Sequence, residues 1–172
     1  MTSGIYFRLS YTYARAVDDG QDALVAGRPA LVQNSYAPNA ERGASVTDQR
    51  NRLAFSWITE PRPFHRGHEV LGALFNHWKF AGVTTYGSGR PINATVSGDP
   101  NQDDNSSNDR LPGARRNSFL GPDYSTTDLR LTRKIYATDH CRFELGTDFF
   151  NAFNRDNQRV TITDDGLLSN SA

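Results

Sequence analysis

Nine consecutive residues near the start of the chain, Ile5 to Tyr13, alternate without a break. Ile5, Phe7, Leu9, Tyr11 and Tyr13 are large and apolar or aromatic, while Tyr6, Arg8, Ser10 and Thr12 stand between them. A period of two puts the two sets on opposite faces of an extended strand; a helix would scatter both around its circumference. The length is close to the roughly 9 to 11 residues with which a tilted strand crosses a bilayer.

The same pattern returns four times. Arg50 to Thr59 sets Leu53, Phe55 and Trp57 against Arg50, Arg52, Ala54 and Ser56. Trp78 to Ser88 sets Trp78, Phe80, Thr84 and Tyr86 against Lys79, Ala81, Val83 and Thr85, with Ile92 to Val96 as an extension. Thr126 to Tyr136 sets Leu129, Leu131 and Ile135 against Asp128, Arg130, Thr132 and Lys134. Cys141 to Phe153 sets Phe143, Leu145, Thr147, Phe149 and Phe153 against Arg142, Glu144, Gly146 and Asp148. One face therefore gathers Phe7, Leu9, Phe55, Trp57, Trp78, Phe80, Leu129, Leu131, Phe143 and Leu145. The expectation is an all-β chain: an antiparallel up-and-down meander of about five strands, part of a transmembrane β-barrel.

Connection lengths support a barrel over a soluble sandwich, which also alternates. Residues 15 to 48 and Ser97 to Gly121 are long segments filled with Asp, Asn, Gly and Pro, whose turn chemistry predicts irregular, solvated loops. Glu60 to Asn76 is shorter and holds an apolar patch, Val70 to Phe75, that fits either a helical turn or packing under the sheet. Ala137 to His140 is a tight turn. Long loops at one end and shorter links at the other are the pattern of an outer-membrane barrel. The aromatics agree: Tyr11, Tyr13, Tyr86, Phe149 and Phe153 fall toward the long-loop end, and Trp57 and Trp78 toward the other, as two interfacial girdles would. The tight turn also fixes a register. Pairing residues whose numbers sum to 278 puts Lys134 opposite Glu144 and Arg130 opposite Asp148; a sum of 276 would set Lys134 against Arg142.

Hydropathy says little here. Mean hydropathy is -0.64 and no long apolar run exists, which excludes a transmembrane helix but not polar–apolar strands. Lys plus Arg and Asp plus Glu are both 19, so there is no basic field for nucleic acid. The single cysteine, Cys141, permits no internal disulfide and is expected to be a small half-buried residue. Met1 leads straight into the first strand, without a basic and apolar leader, so either the chain is soluble or its export signal lies upstream.

In order along the chain, Tyr11-Thr12-Tyr13, Asp48-Gln49-Arg50-Asn51-Arg52, Trp78, Ser88-Gly89-Arg90-Pro91, Asn108-Asp109-Arg110 and Phe149-Phe150-Asn151-Ala152-Phe153-Asn154 resemble the C-terminal barrel region of Oar-like TonB-dependent receptors. The similarity runs from about Tyr6 to Asn154, which makes residues 1–154 a partial receptor-like barrel and 155–172 a polar tail or loop with one short strand at Arg159 to Thr163. The resemblance implies a 22-stranded barrel with an N-terminal plug, located in the outer membrane and energised by an inner-membrane complex through a TonB box. Its partners would then be outer-membrane lipid, the remainder of the barrel and its plug, and the TonB complex. Neither the plug nor the terminal aromatic strand of that family is present, so a truncated or excised piece is expected.

Candidate sites are few. Asp99, Asn101, Asp103 and Asp109 resemble the start of a calcium loop, but an EF-hand needs Gly where Asp104 stands and Glu where Arg110 stands. A solvated loop, or at most a looser cation site, is the expectation. His65 and His68 are too close together for a closed zinc site without more ligands, and with His77 and His140 they read as surface histidines. Asp18-Asp19 lies in a loop expected to be mobile, with nothing to raise a pKa. The sequence thus predicts no enzyme, no cofactor and no metal or catalytic residue. It predicts a substrate-uptake or surface-binding component whose barrel interior is lined by Tyr6, Arg8, Arg52, Lys79, Arg130, Arg142 and Asp148. The competing reading is a soluble β-sandwich binding module with a carbohydrate or cation site in its long loops.

Overall fold

The computed structural model describes residues 4–19, 32–34, 36–64, 69–104, 109–136, 141–162 and 168–171. Its elements in chain order are β1 (Ile5–Tyr13), β2 (Val17–Asp18), a short 3-10 turn (Pro38–Glu41), β3 (Gly43–Ala44), β4 (Asn51–Thr59), α1 (Glu69–Phe75), β5 (Trp78–Gly87), β6 (Pro91–Ile92), β7 (Phe119–Leu120), β8 (Tyr124–Tyr136), β9 (Arg142–Phe149), β10 (Arg159–Ile162) and β11 (Leu168–Ser171). The five long strands form one sheet in the order β1-β4-β5-β8-β9, a meander in chain order as the alternation predicts. Among the described residues it is open at both edges and forms no closed barrel. The sandwich reading fails here, because a sandwich divides its strands between two facing sheets around a core.

The pairing of β8 with β9 is antiparallel with Leu129 opposite Phe149, Arg130 opposite Asp148, Lys134 opposite Glu144 and Ile135 opposite Phe143. This is the 278 register, although the turn at Ala137 to His140 that was expected to set it lies outside the described residues. Electrostatics and face matching agree on it. Arg130 Nε lies 3.5 Å from Asp148 Oδ1, while the Lys134 ammonium, opposite Glu144 in the ladder, bonds Glu60 Oε1 at 2.9 Å.

Side-chain contacts show that one face is shared across strands. A Cβ on Gly82 would meet the Trp57 indole at 2.6 Å and Leu129 Cδ2 at 3.0 Å, and the Arg133 guanidinium sits 5.0 Å from the Trp78 ring centre. Gly82 is thus the space that Trp57 and Leu129 occupy. On the opposite face, Thr85 and Thr126 bond through their hydroxyls at 2.8 Å.

No hydrophobic residue is buried among those described. Phe7 is 72% exposed, Leu9 60% and Leu145 63%, even though each sits mid-strand in a paired sheet. A water-soluble sheet would cover one face; each such side chain gains about 1.5–3 kcal/mol on leaving water.

Several elements differ from the sequence-based expectation. The fifth strand ends at Phe149, not Phe153: Asn151 takes a left-handed φ of 47°, its N–H donates to Asp128 Oδ1 at 2.8 Å, and the chain turns away. Phe153 therefore leaves the aromatic set of that strand. Ile92 to Val96 does not extend β5; Pro91–Ile92 pairs with Phe119–Leu120 instead. The patch Val70 to Phe75 is helical, and the Trp78 indole N–H donates to Leu74 O at 3.0 Å at its end. Cys141 is exposed, not half-buried, because the sheet provides nothing to cover it. In the segment expected to be a polar tail, β10 and β11 form an antiparallel hairpin.

By contact density the chain divides into two compact units. One comprises residues 1–11, 53–86 and 125–155, and so holds most of the sheet; the other comprises residues 12–52, 87–124 and 156–172.

Two predictions follow from this architecture. Kept from lipid and detergent, the chain sediments as aggregate, because its open edges and uncovered apolar face meet water; a sharp cooperative melt of a detergent-free monomer would contradict this. Gly89→Ala opens the β6–β7 ribbon, since the added Cβ would stand 1.8 Å from the backbone oxygen of Gly121, next to the bond from Gly121 N to Arg90 O. The expected cost is about 1–3 kcal/mol or more, seen as faster proteolysis of residues 88–123.

Candidate functional site

The second unit includes the described parts of the two long inter-strand segments, which carry short paired ribbons within otherwise irregular chain. The first carries β2 paired with β3, Val17 opposite Ala44 and Asp18 opposite Gly43. The second carries β6 paired with β7 and a further bridge between Thr95 and Arg110. Gly and Asn end these ribbons quickly; Asn117, at φ 51°, uses its side-chain N–H to bond Ala44 O at 2.8 Å.

What joins the two segments is buried charge. Arg110, 8% exposed, donates both terminal nitrogens to Glu41, 4% exposed, at 2.6 and 2.9 Å, a bidentate fork. Arg116 bonds the Asp18 carboxylate and also the backbone oxygens of Asp18 and Glu41. Within the first segment Asp48 accepts from the Ala16 N–H at 3.1 Å and from Arg50 Nε at 2.9 Å. Gln49 donates to Ser88 O at 3.1 Å and accepts from Arg52 at 2.6 Å.

The bonds set the protonation of the carboxylates. The Arg110 guanidinium holds Glu41 below the usual carboxylate range; burial opposes it, while a Gln33 N–H and the Arg116 charge act with it. For Asp18 burial pushes the carboxyl up, but the bonds from Ser45 and Arg116 and the charge of Arg116 outweigh it and leave the group lowered. Asp18 was expected to lie in a mobile segment; the ion pair to Arg116 anchors it instead.

The residues expected to line a barrel interior fall as the alternation requires. Arg130 and Asp148 face each other across the β8–β9 ladder, and Arg142 lies opposite Tyr136 six residues further along it. Tyr6 and Arg8 lie in β1, Arg52 in β4 and Lys79 in β5. At the α1 end of the sheet, Glu60, Arg62, Lys134 and Arg142 line a cleft with His77 and Tyr136. His77 is half-buried, its ring edge-on to Tyr136 at 5.1 Å, so it is not the surface histidine expected; His65, His68 and His140 lie outside the described residues.

Sequence reasoning missed the loop network. Its signal was present in Asp48-Gln49-Arg50-Asn51-Arg52 and Asn108-Asp109-Arg110, dense alternations of acid, amide and base inside supposed loops. Nothing local reveals that Arg110 finds Glu41 across 69 residues.

Glu41→Gln leaves the Arg110 guanidinium buried without its counter-charge, which costs about 3–5 kcal/mol. The expected readout is a marked loss of amide-exchange protection in residues 36–50 and 109–120. Acid does the same to the wild type. Because folding lowers the pKa of Glu41, its contribution is complete above the unfolded-state value and is lost as pH falls through the folded one, below roughly pH 4. Unchanged protection at pH 3 would contradict it.

The family described as "Outer membrane beta barrel domain" matches residues 1–114. No curated protein and no solved structure matches the chain. The family match covers β1 through β6 and both partners of the Glu41–Arg110 pair, and it accords with a sheet that has no core of its own. The chain belongs to the outer membrane beta barrel domain family, and it is an outer-membrane protein.

Proposed function

We propose that this chain forms part of the barrel of a TonB-dependent receptor of the Oar-like type, acting in substrate uptake or surface binding and not as an enzyme. In this reading the apolar face meets outer-membrane lipid. The polar face, with Tyr6, Arg8, Arg52, Lys79, Arg130, Arg142 and Asp148, lines the lumen around a plug supplied by another part of the protein. The remainder of the barrel pairs with the open edges of β1 and β9, and the inner-membrane TonB complex supplies energy.

The observation that carries the reading is the bonding of the two long segments to each other through buried Arg–carboxylate pairs. A receptor that recognises its ligand before transport needs loops that hold one shape, because ordering them on binding would subtract from affinity. The ordered motifs shared with Oar-like receptors support the same conclusion.

The test is chemical cross-linking in intact cells producing the protein from its native gene, followed by blotting for TonB. The expected result is an adduct containing both proteins, absent from cells without TonB. A surface-exposed protein that gives no such adduct would refute TonB dependence and leave a passive or adhesive barrel.

A further inference from the structure

We propose that the second long segment holds a divalent-cation site of the calcium type, formed by Asp99, Asp103 and Asp109. One carboxylate oxygen from each of the three lies within 4.8 Å of one from each of the others. Clustered acids are common on solvated loops, and that alone would mean little. Asp109 sets this cluster apart: its side chain is fully buried, at 0% exposure, and among the described residues its Oδ2 has no hydrogen-bond partner.

A buried carboxylate oxygen with nothing bound to it is costly, because water has been removed and nothing replaces it. The charges nearby in sequence do not resolve this. Arg110 commits both terminal nitrogens to Glu41, and its Nε is itself without a partner among the described residues. Among the described residues Asp109 Oδ1 receives a 3.4 Å bond from the Gln33 amide. A cation with charge +2 would satisfy Oδ2 and offset the mutual repulsion of three carboxylates together.

The surrounding loop is already wrapped for this purpose. Asp99 accepts the N–H groups of Asp103 at 3.0 Å and Asp104 at 2.8 Å, and Gln102 and Asp104 take left-handed φ values of 56° and 65°. Asn101 bonds Gln33 O through its amide nitrogen at 3.2 Å, so the first long segment is held against the same loop. The donor set is carboxylate oxygen, which suits a hard cation better than zinc, whose structural sites are built from Cys and His. Three carboxylates carried on a loop suit the flexible coordination of Ca²⁺ better than the strict octahedron of Mg²⁺. Extracellular calcium modules bind at about 10⁻⁴–10⁻³ M, the range expected here. This reading stands whether or not the protein depends on TonB.

The test is isothermal titration of CaCl₂ into the detergent-extracted, lipopolysaccharide-free protein, with far-UV circular dichroism as proof that each sample is folded. The wild type should bind saturably, and Asp103→Asn and Asp109→Asn should each weaken binding at least tenfold. Asp103 is exposed, so its variant remains informative if Asp109→Asn does not fold. Calcium should also slow proteolysis of residues 88–123 in the wild type and not in the variants. Absence of saturable binding to the folded wild type up to 10-fold above that affinity range, wild-type affinity in Asp103→Asn, or equal affinity for MgCl₂ would each overturn the assignment.

Discussion

Everything in this chain turns on where its apolar side chains can go. The sheet has ladders, matched faces and a defined register, yet no described hydrophobic residue is buried. Hydrogen bonding across strands satisfies the backbone but contributes little net driving force, since water competes for the same groups. The missing term is the transfer of Phe, Leu, Trp and Ile out of water, and only a surrounding of hydrocarbon can supply it. The bilayer is thus a structural component of this protein in the way a core is of a soluble one.

The other unit obeys the opposite rule. Its interior is polar: Glu41, Asp48, Asp109, Arg110 and Arg116 are among its most buried side chains. Such an interior depends on pairing its charges, because removing one partner of a buried pair leaves the other uncompensated. The forked pair between Arg110 and Glu41 is the centre of that arrangement, and the Arg116 bonds extend it to Asp18.

The two halves of this description were unequally legible in the sequence. Strands announce themselves through a two-residue period, and Ile5 to Tyr13 or Leu129 to Ile135 can be read without any knowledge of their neighbours. The register of β8 on β9 was also accessible, because few alignments match both charge and face. What could not be read were pairings between distant residues with no period to betray them. Glu41, Asp109 and Arg110 have the composition of solvated loop, and their burial depends on a partner segment far along the chain. The end of β9 was misplaced for a related reason: Phe153 continues the alternation, while the turn is decided by Asn151 and its bond to Asp128.

The fork between Glu41 and Arg110 has a consequence on the timescale of descent as well as of folding. Surface segments of membrane proteins face phages, antibodies and changing nutrients, and gain from rapid variation. Here the two longest ones share an ion pair, so neither can drift alone: loss of the acid strands the base, and the reverse. Mutational freedom is pushed outward, to positions such as Tyr36, which is 99% exposed. A change at either end of the pair therefore calls for a matching change at the other.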